Sequence, residues 1–90
     1  MAKQKATIPA TISASLFGLA RALDEQGKTH QSLDPYLKLI VQHPDSPEAS
    51  LATDRLFEII EDFRRAGQIH MAMRVLDRLE TALPQERSDV

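Results

Sequence analysis

The side chains with the most obvious chemical potential are three histidines, His30, His43 and His70. A helix that binds zinc usually offers ligands at i,i+4, as in His-Glu-x-x-His, and no pair here has that spacing. His30 and His70 read instead as polar residues at helix starts. Gly27-Lys28-Thr29 resembles the end of a phosphate-binding loop. Ala22 stands where that loop needs its earlier glycine, and no strand precedes it. Asp24-Glu25 and Glu61-Asp62 are paired carboxylates. Neighbours in a helix point ~100° apart, so such pairs do not converge as acid and base. Serine and threonine show no nucleophile-elbow pattern. The chain has no cysteine, which removes a thiol nucleophile, a thiolate metal site and a disulfide scaffold. Arg64, Arg65, Arg74 and Arg78 make a basic cluster, interrupted by Asp77 and Glu80. It reads as surface ion pairing, each pair contributing little. The residues support no catalytic site, no metal and no cofactor, so the expected function is non-enzymatic.

The elements that carry these residues are all helical in pattern. The chain has 90 residues, 42% hydrophobic and 27% charged, a composition that folds. Its formal net charge is -2 and its aromatic content 4%, so nothing favours nucleic acid or an anionic membrane. No apolar run is long enough to span a bilayer. The basic start lacks an apolar region behind it, so no secretory leader is expected and the location expected is cytoplasmic. Residues 1–12 are expected to form a flexible arm. Leu16, Leu19, Ala20 and Leu23 recur at helical spacing, predicting a helix from Pro9 or Ser13 to Gln26. A second helix carries Leu33, Tyr36, Leu37, Ile40 and Val41, with a loose first turn from Thr29 or His30 and regular helix from Pro35. Ser46-Pro47-Glu48 starts a third with a capping hydroxyl, a proline at the first position and an acid in the first turn. Gly67 ends it. A fourth runs from near Ile69 to Leu83, before Pro84, and residues 85–90 are expected to fray.

A shift of 40 residues superposes the two halves. Leu16-Phe17 falls on Leu56-Phe57, Gly27 on Gly67, His30 on His70, Leu39 on Leu79 and Pro44 on Pro84. Leu19 falls on Ile59, Leu23 on Phe63, Ser32 on Ala72 and Tyr36 on Leu76. Each unit, 13–44 and 45–84, is a helix, a glycine turn and a second helix closed by proline. The fold expected is all-α: two stacked antiparallel helical hairpins sharing one core, because one hairpin cannot bury both its faces.

This unit resembles the tetratricopeptide repeat. Leu16, Leu19-Ala20, Leu23, Gly27, Ser32, Tyr36, Leu39 and Pro44 fit its pattern in the first unit. Leu56, Ile59-Ile60, Phe63, Gly67, Ala72, Leu76, Leu79 and Pro84 fit it in the second. Ile60 departs from the family's small residue, Pro35 lies inside a usually regular helix, and the 40-residue spacing exceeds the family's usual unit. The resemblance implies that the first helix of each hairpin lines a concave peptide-binding surface. Its contact positions map to Phe17, Arg21 and Asp24, and to Phe57, Glu61, Arg64 and Arg65. The lysines and asparagines of the family's carboxylate clamp are absent from these positions.

A second expected surface follows from the fourth helix, which is apolar around much of its circumference. Ile69, Met71 and Val75 are expected to stay exposed and to mediate self-association into a homodimer or higher homo-oligomer. The function expected is a protein-interaction adaptor or assembly module that binds a peptide or helix of a protein partner. The alternative is a structural homo-oligomerisation module whose assembly is its function. A small nucleic-acid-binding protein is disfavoured.

Overall fold

In a computed structural model the chain is all-helical. The structure describes residues 2–83, with side chains from residue 11 onward. The four helices among them are α1 (Ala2–Glu25), α2 (Thr29–Gln42), α3 (Pro47–Arg65) and α4 (Ile69–Ala82). The tail 85–90 and the closing Pro84 lie outside the described residues.

The two hairpin turns are built alike. Gly27 has φ +83° and Gly67 φ +81°. At the first turn, the Lys28 N–H donates to the Leu23 carbonyl at 2.8 Å and the Gly27 N–H to that of Asp24 at 3.0 Å. At the second, Gln68 donates to Phe63 at 2.8 Å and Gly67 to Arg64 at 3.0 Å. This 6→1 and 5→2 pair is a Schellman closure, which needs a left-handed residue that a Cβ would disfavour. The two turns thus obey the same 40-residue shift as the sequence.

Helix starts follow their local chemistry. Ser46 is the N-cap of α3 and its hydroxyl accepts the Ala49 N–H at 3.1 Å. Pro47 and Glu48 occupy the first turn. α2 has no side-chain cap. It is helical from Thr29 onward with Pro35 inside it, so the expected loose first turn is already regular helix. The bond Pro35 cannot donate is lost at the Gln31 carbonyl, and Gln31 lies at the exposed surface. α1 begins at Ala2, ahead of the expected start at Pro9 or Ser13, so the backbone of residues 2–12 is helical. Alanine, lysine and glutamine are strong helix formers, and Ile8 and Ile12 are too few large apolar residues to write a periodicity there.

α2 lies at the centre and packs on α1, α3 and α4. α1 and α4 share no contact among the described residues. The shared core comprises Ala20, Tyr36, Leu39, Ala52, Leu56, Ile59 and Leu79, each at most 1% exposed. Tyr36, Leu39 and Leu79 come from the second helices of the hairpins, and Ala52, Leu56 and Ile59 from α3, which α2 and α4 cover from two sides. Leu19 and Ile59 are repeat equivalents, yet Leu19 is 53% exposed and Ile59 1%. α1 stands at the edge of the stack, so among the described residues no helix covers the flank that α2 covers on α3.

Candidate functional site

A groove of about 570 Å³ opens where α1 faces α3. α1 contributes Phe17, Arg21, Asp24 and Glu25, α2 contributes Tyr36, and α3 contributes Leu51, Asp54, Arg55 and Glu58. Its floor is a fixed polar triad. The Arg55 guanidinium grips both oxygens of Asp24 with one edge, Nε to Oδ2 at 2.6 Å and Nη2 to Oδ1 at 3.0 Å. The Tyr36 hydroxyl donates to Asp24 Oδ2 at 3.0 Å. The remaining Arg55 nitrogen, Nη1, donates to Glu58 at 3.0 Å. The Asp24 side chain is only 9% exposed. A buried carboxylate requires such partners, and a bidentate guanidinium is the strongest available. The triad ties the end of α1 to α2 and α3, across the joint between the two units.

Protonation follows this geometry. The Arg55 hydrogen bond holds the Asp24 carboxyl below the usual carboxylate range, with help from Tyr36 and against the cost of burial. Burial pushes the Tyr36 phenol up to about 12, and the adjacent Asp24 carboxylate adds to the shift. Arg55 is raised by its bond to Asp24. The triad is therefore charged on Asp24 and Arg55 and neutral on Tyr36 over the ordinary pH range.

One wall of the groove is aromatic. The Phe17 ring lies 6.2 Å from that of Tyr36, tilted by 57°. The Arg21 guanidinium sits 5.8 Å from the Phe17 centroid, within cation–π range. Arg21 also pairs with Glu25 at 2.8 Å across one helical turn. Phe17 is half-buried against the core. On the facing wall, Leu51 is 52% exposed and apolar.

Phe17, Arg21 and Asp24, which the repeat resemblance maps to one surface, line this groove together. Phe57, Glu61, Arg64 and Arg65 do not line this groove. They sit further round or further along α3, where Phe57 is 47% exposed and Arg64 pairs with Glu61 at 2.8 Å. Their repeat equivalents meet a following first helix, whereas no helix of that kind follows α3 among the described residues. Leu51, Asp54, Arg55 and Glu58 were not anticipated. The available signal was the repeat itself: Arg55 and Glu58 are charged where their equivalents in the first unit, Ser15 and Gly18, are not.

The expected self-association surface needs correction. Val75 is 2% exposed and belongs to the core with Ala72 and Leu79, which recur at i, i+3 and i+7. Met71 is half-buried. The exposed apolar residues of α4 are Ile69 at 50% and Met73 at 62%, four apart on another face. The apolar stripe of α4 is rotated relative to the expectation because its core contacts are shared between α3 and α2.

The remaining groups do not converge. Among the described residues no three of His, Asp, Glu or Cys gather as metal ligands. The His30 ring lies 5.7 Å from that of Phe63. Arg78 reaches Asp34 on α2 at 2.7 Å and Arg64 pairs with Glu61 at 2.8 Å, so two arginines of the basic cluster are held in ion pairs. No helix of the described residues is long and apolar enough to cross a membrane. Comparison with protein-family models, curated proteins and solved structures returned no match to this chain.

Proposed function

We propose that the chain is a tetratricopeptide-like module of two hairpins that captures a segment of a partner protein in the α1–α3 groove, without catalysis. The observation that carries this reading is a groove whose floor is fixed by Asp24, Arg55 and Tyr36 while Leu51 stays open on its wall. Fixed polar groups beside an accessible apolar side chain reduce the ordering cost of binding. They also set the register of a bound segment, while Leu51 and the Phe17 edge supply its apolar contact. A cytoplasmic setting belongs to the same reading.

The test is partner capture followed by titration of the identified segment. Leu51→Glu should weaken binding at least tenfold and leave helicity unchanged, because Leu51 is half exposed. Phe57→Ala should change binding little, since Phe57 lies outside the groove. Equal binding by wild type and Leu51→Glu would reject the groove as the binding surface.

A further inference from the structure

We propose that the flank of α1 turned away from α3 pairs two copies of this chain about a two-fold axis. This inference is independent of the groove reading. Leu19 lies ~160° round α1 from Phe17, on the side opposite the groove. Ile12 is 45% and Leu19 53% exposed on this flank. Beside them Ser15, Gly18 and Ala22 are exposed. Each of these residues is small or apolar and none is charged. Residues 6–20 carry no charge at all, in a chain that is 27% charged.

The second hairpin supplies an internal control. Ile12 and Leu19 correspond to Ala52 and Ile59 under the 40-residue shift. Ala52 is 0% and Ile59 1% exposed, because α2 packs over that flank of α3. Ser15, Gly18 and Ala22 correspond to Arg55, Glu58 and Asp62. The same helix positions are thus charged where solvent or the groove meets them, and uncharged on α1. The α1 flank continues the α2–α3 stacking surface by one repeat, with its charges removed.

Gly18 points the same way. A glycine inside an exposed helix is less favourable than alanine. No turn requires it, and a Cβ there would meet nothing within 4 Å. The fold of the single chain gives no reason for it. A second helix crossing at that point does, because a bare backbone permits a closer approach.

The occupant follows from charge and symmetry. The end of the stack formed by α4 is a poor cover for this flank, since Asp77 and Glu80 stand where α2 has its buried Leu37 and Ile40. Head-to-tail stacking would press those carboxylates onto an apolar surface. A two-fold axis brings charges close to it onto their own copies, so a charge-free flank crossing itself meets no like-charge repulsion. The partner is therefore α1 of a second copy.

The test is solution mass of the full chain by sedimentation equilibrium across a concentration series. The wild type should approach twice the 10.1 kDa monomer mass. Leu19→Glu and Ala22→Arg should each raise the dissociation constant roughly tenfold or more, since each buries an unpaired charge. Circular dichroism must show unchanged helicity for both. Met73→Glu, on the exposed face of α4, should leave the dimer intact. A wild type that stays monomeric throughout, or a dimer lost in Met73→Glu and kept in Leu19→Glu, would overturn the proposal. For a second readout the cysteine-free chain is given one thiol at a time. Gly18→Cys or Ala22→Cys should oxidise to a covalent dimer and Met73→Cys should not. The reverse pattern contradicts the pairing.

Discussion

Asp24 is the residue on which the joint between the two units turns. Its carboxylate takes three hydrogen bonds, two from Arg55 on α3 and one from Tyr36 on α2. Removing one partner leaves a largely buried charge without its mate. Arg55→Met should therefore destabilise the fold by about 1–3 kcal/mol, read by urea denaturation. Arg64→Met, which breaks only an exposed pair with Glu61, should leave the urea midpoint almost unchanged. Tyr36 is the only tyrosine of the chain, so phenolate absorbance reports it alone. The folded protein should titrate near 12, and in urea the midpoint should fall to about 10. The raised value means stability intact below the unfolded value and lost as pH climbs through the folded one, so alkaline unfolding should follow the phenolate signal. Asp24 has the opposite sign. Its depressed value gives stability present above the ordinary carboxylate range and lost on acidification, and Asp24→Asn should flatten that acid limb. In the sequence Asp24 was legible as a groove position. Arg55 was not, because a partner 31 residues away leaves no periodic trace.

At the scale of elements, capping chemistry was the most readable feature. Ser46-Pro47-Glu48 and the two glycine turns stand where the sequence puts them. The left-handed conformation is the whole constraint at the turns, since neither Gly27 nor Gly67 has an atom within 4 Å of a would-be Cβ. Gly27→Ala and Gly67→Ala should thus cost nearly the same, about 1 kcal/mol each after the unfolded-state gain of alanine. For a domain of this size that is a fall in Tm of roughly 4–8 °C, measurable by calorimetry. Two features left little trace in the periodicity. The helix start at Ala2 was hidden because lysine, glutamine and alanine form helix without an apolar stripe. The inward stripe of α4 was hidden because an apolar helix offers several faces, and only the crossing with α2 and α3 decides that Val75 turns in and Met73 out.

The whole molecule is a stack with two unlike ends. At one, α4 sets Asp77 and Glu80 around its exposed Met73. At the other, α1 offers an uncharged flank. Between the hairpins the stack opens a groove on the α1–α3 side, floored by the triad and walled by Phe17 and Leu51. The all-helical architecture and the doubled hairpin were legible because the repeat is written in glycine, leucine and aromatic spacing. The groove's facing wall was not, since it exists only where one unit meets the next. Whether a partner segment lies in that groove is tested by an amide chemical-shift map of the labelled protein, titrated with a peptide selected on the wild-type chain from a displayed random library. Perturbations should concentrate at Phe17, Arg21, Asp24, Leu51, Arg55 and Glu58, and Leu51→Glu should abolish binding. Perturbations concentrated instead on α4 around Ile69 and Met73, with the groove amides unmoved, would contradict the groove as the binding surface.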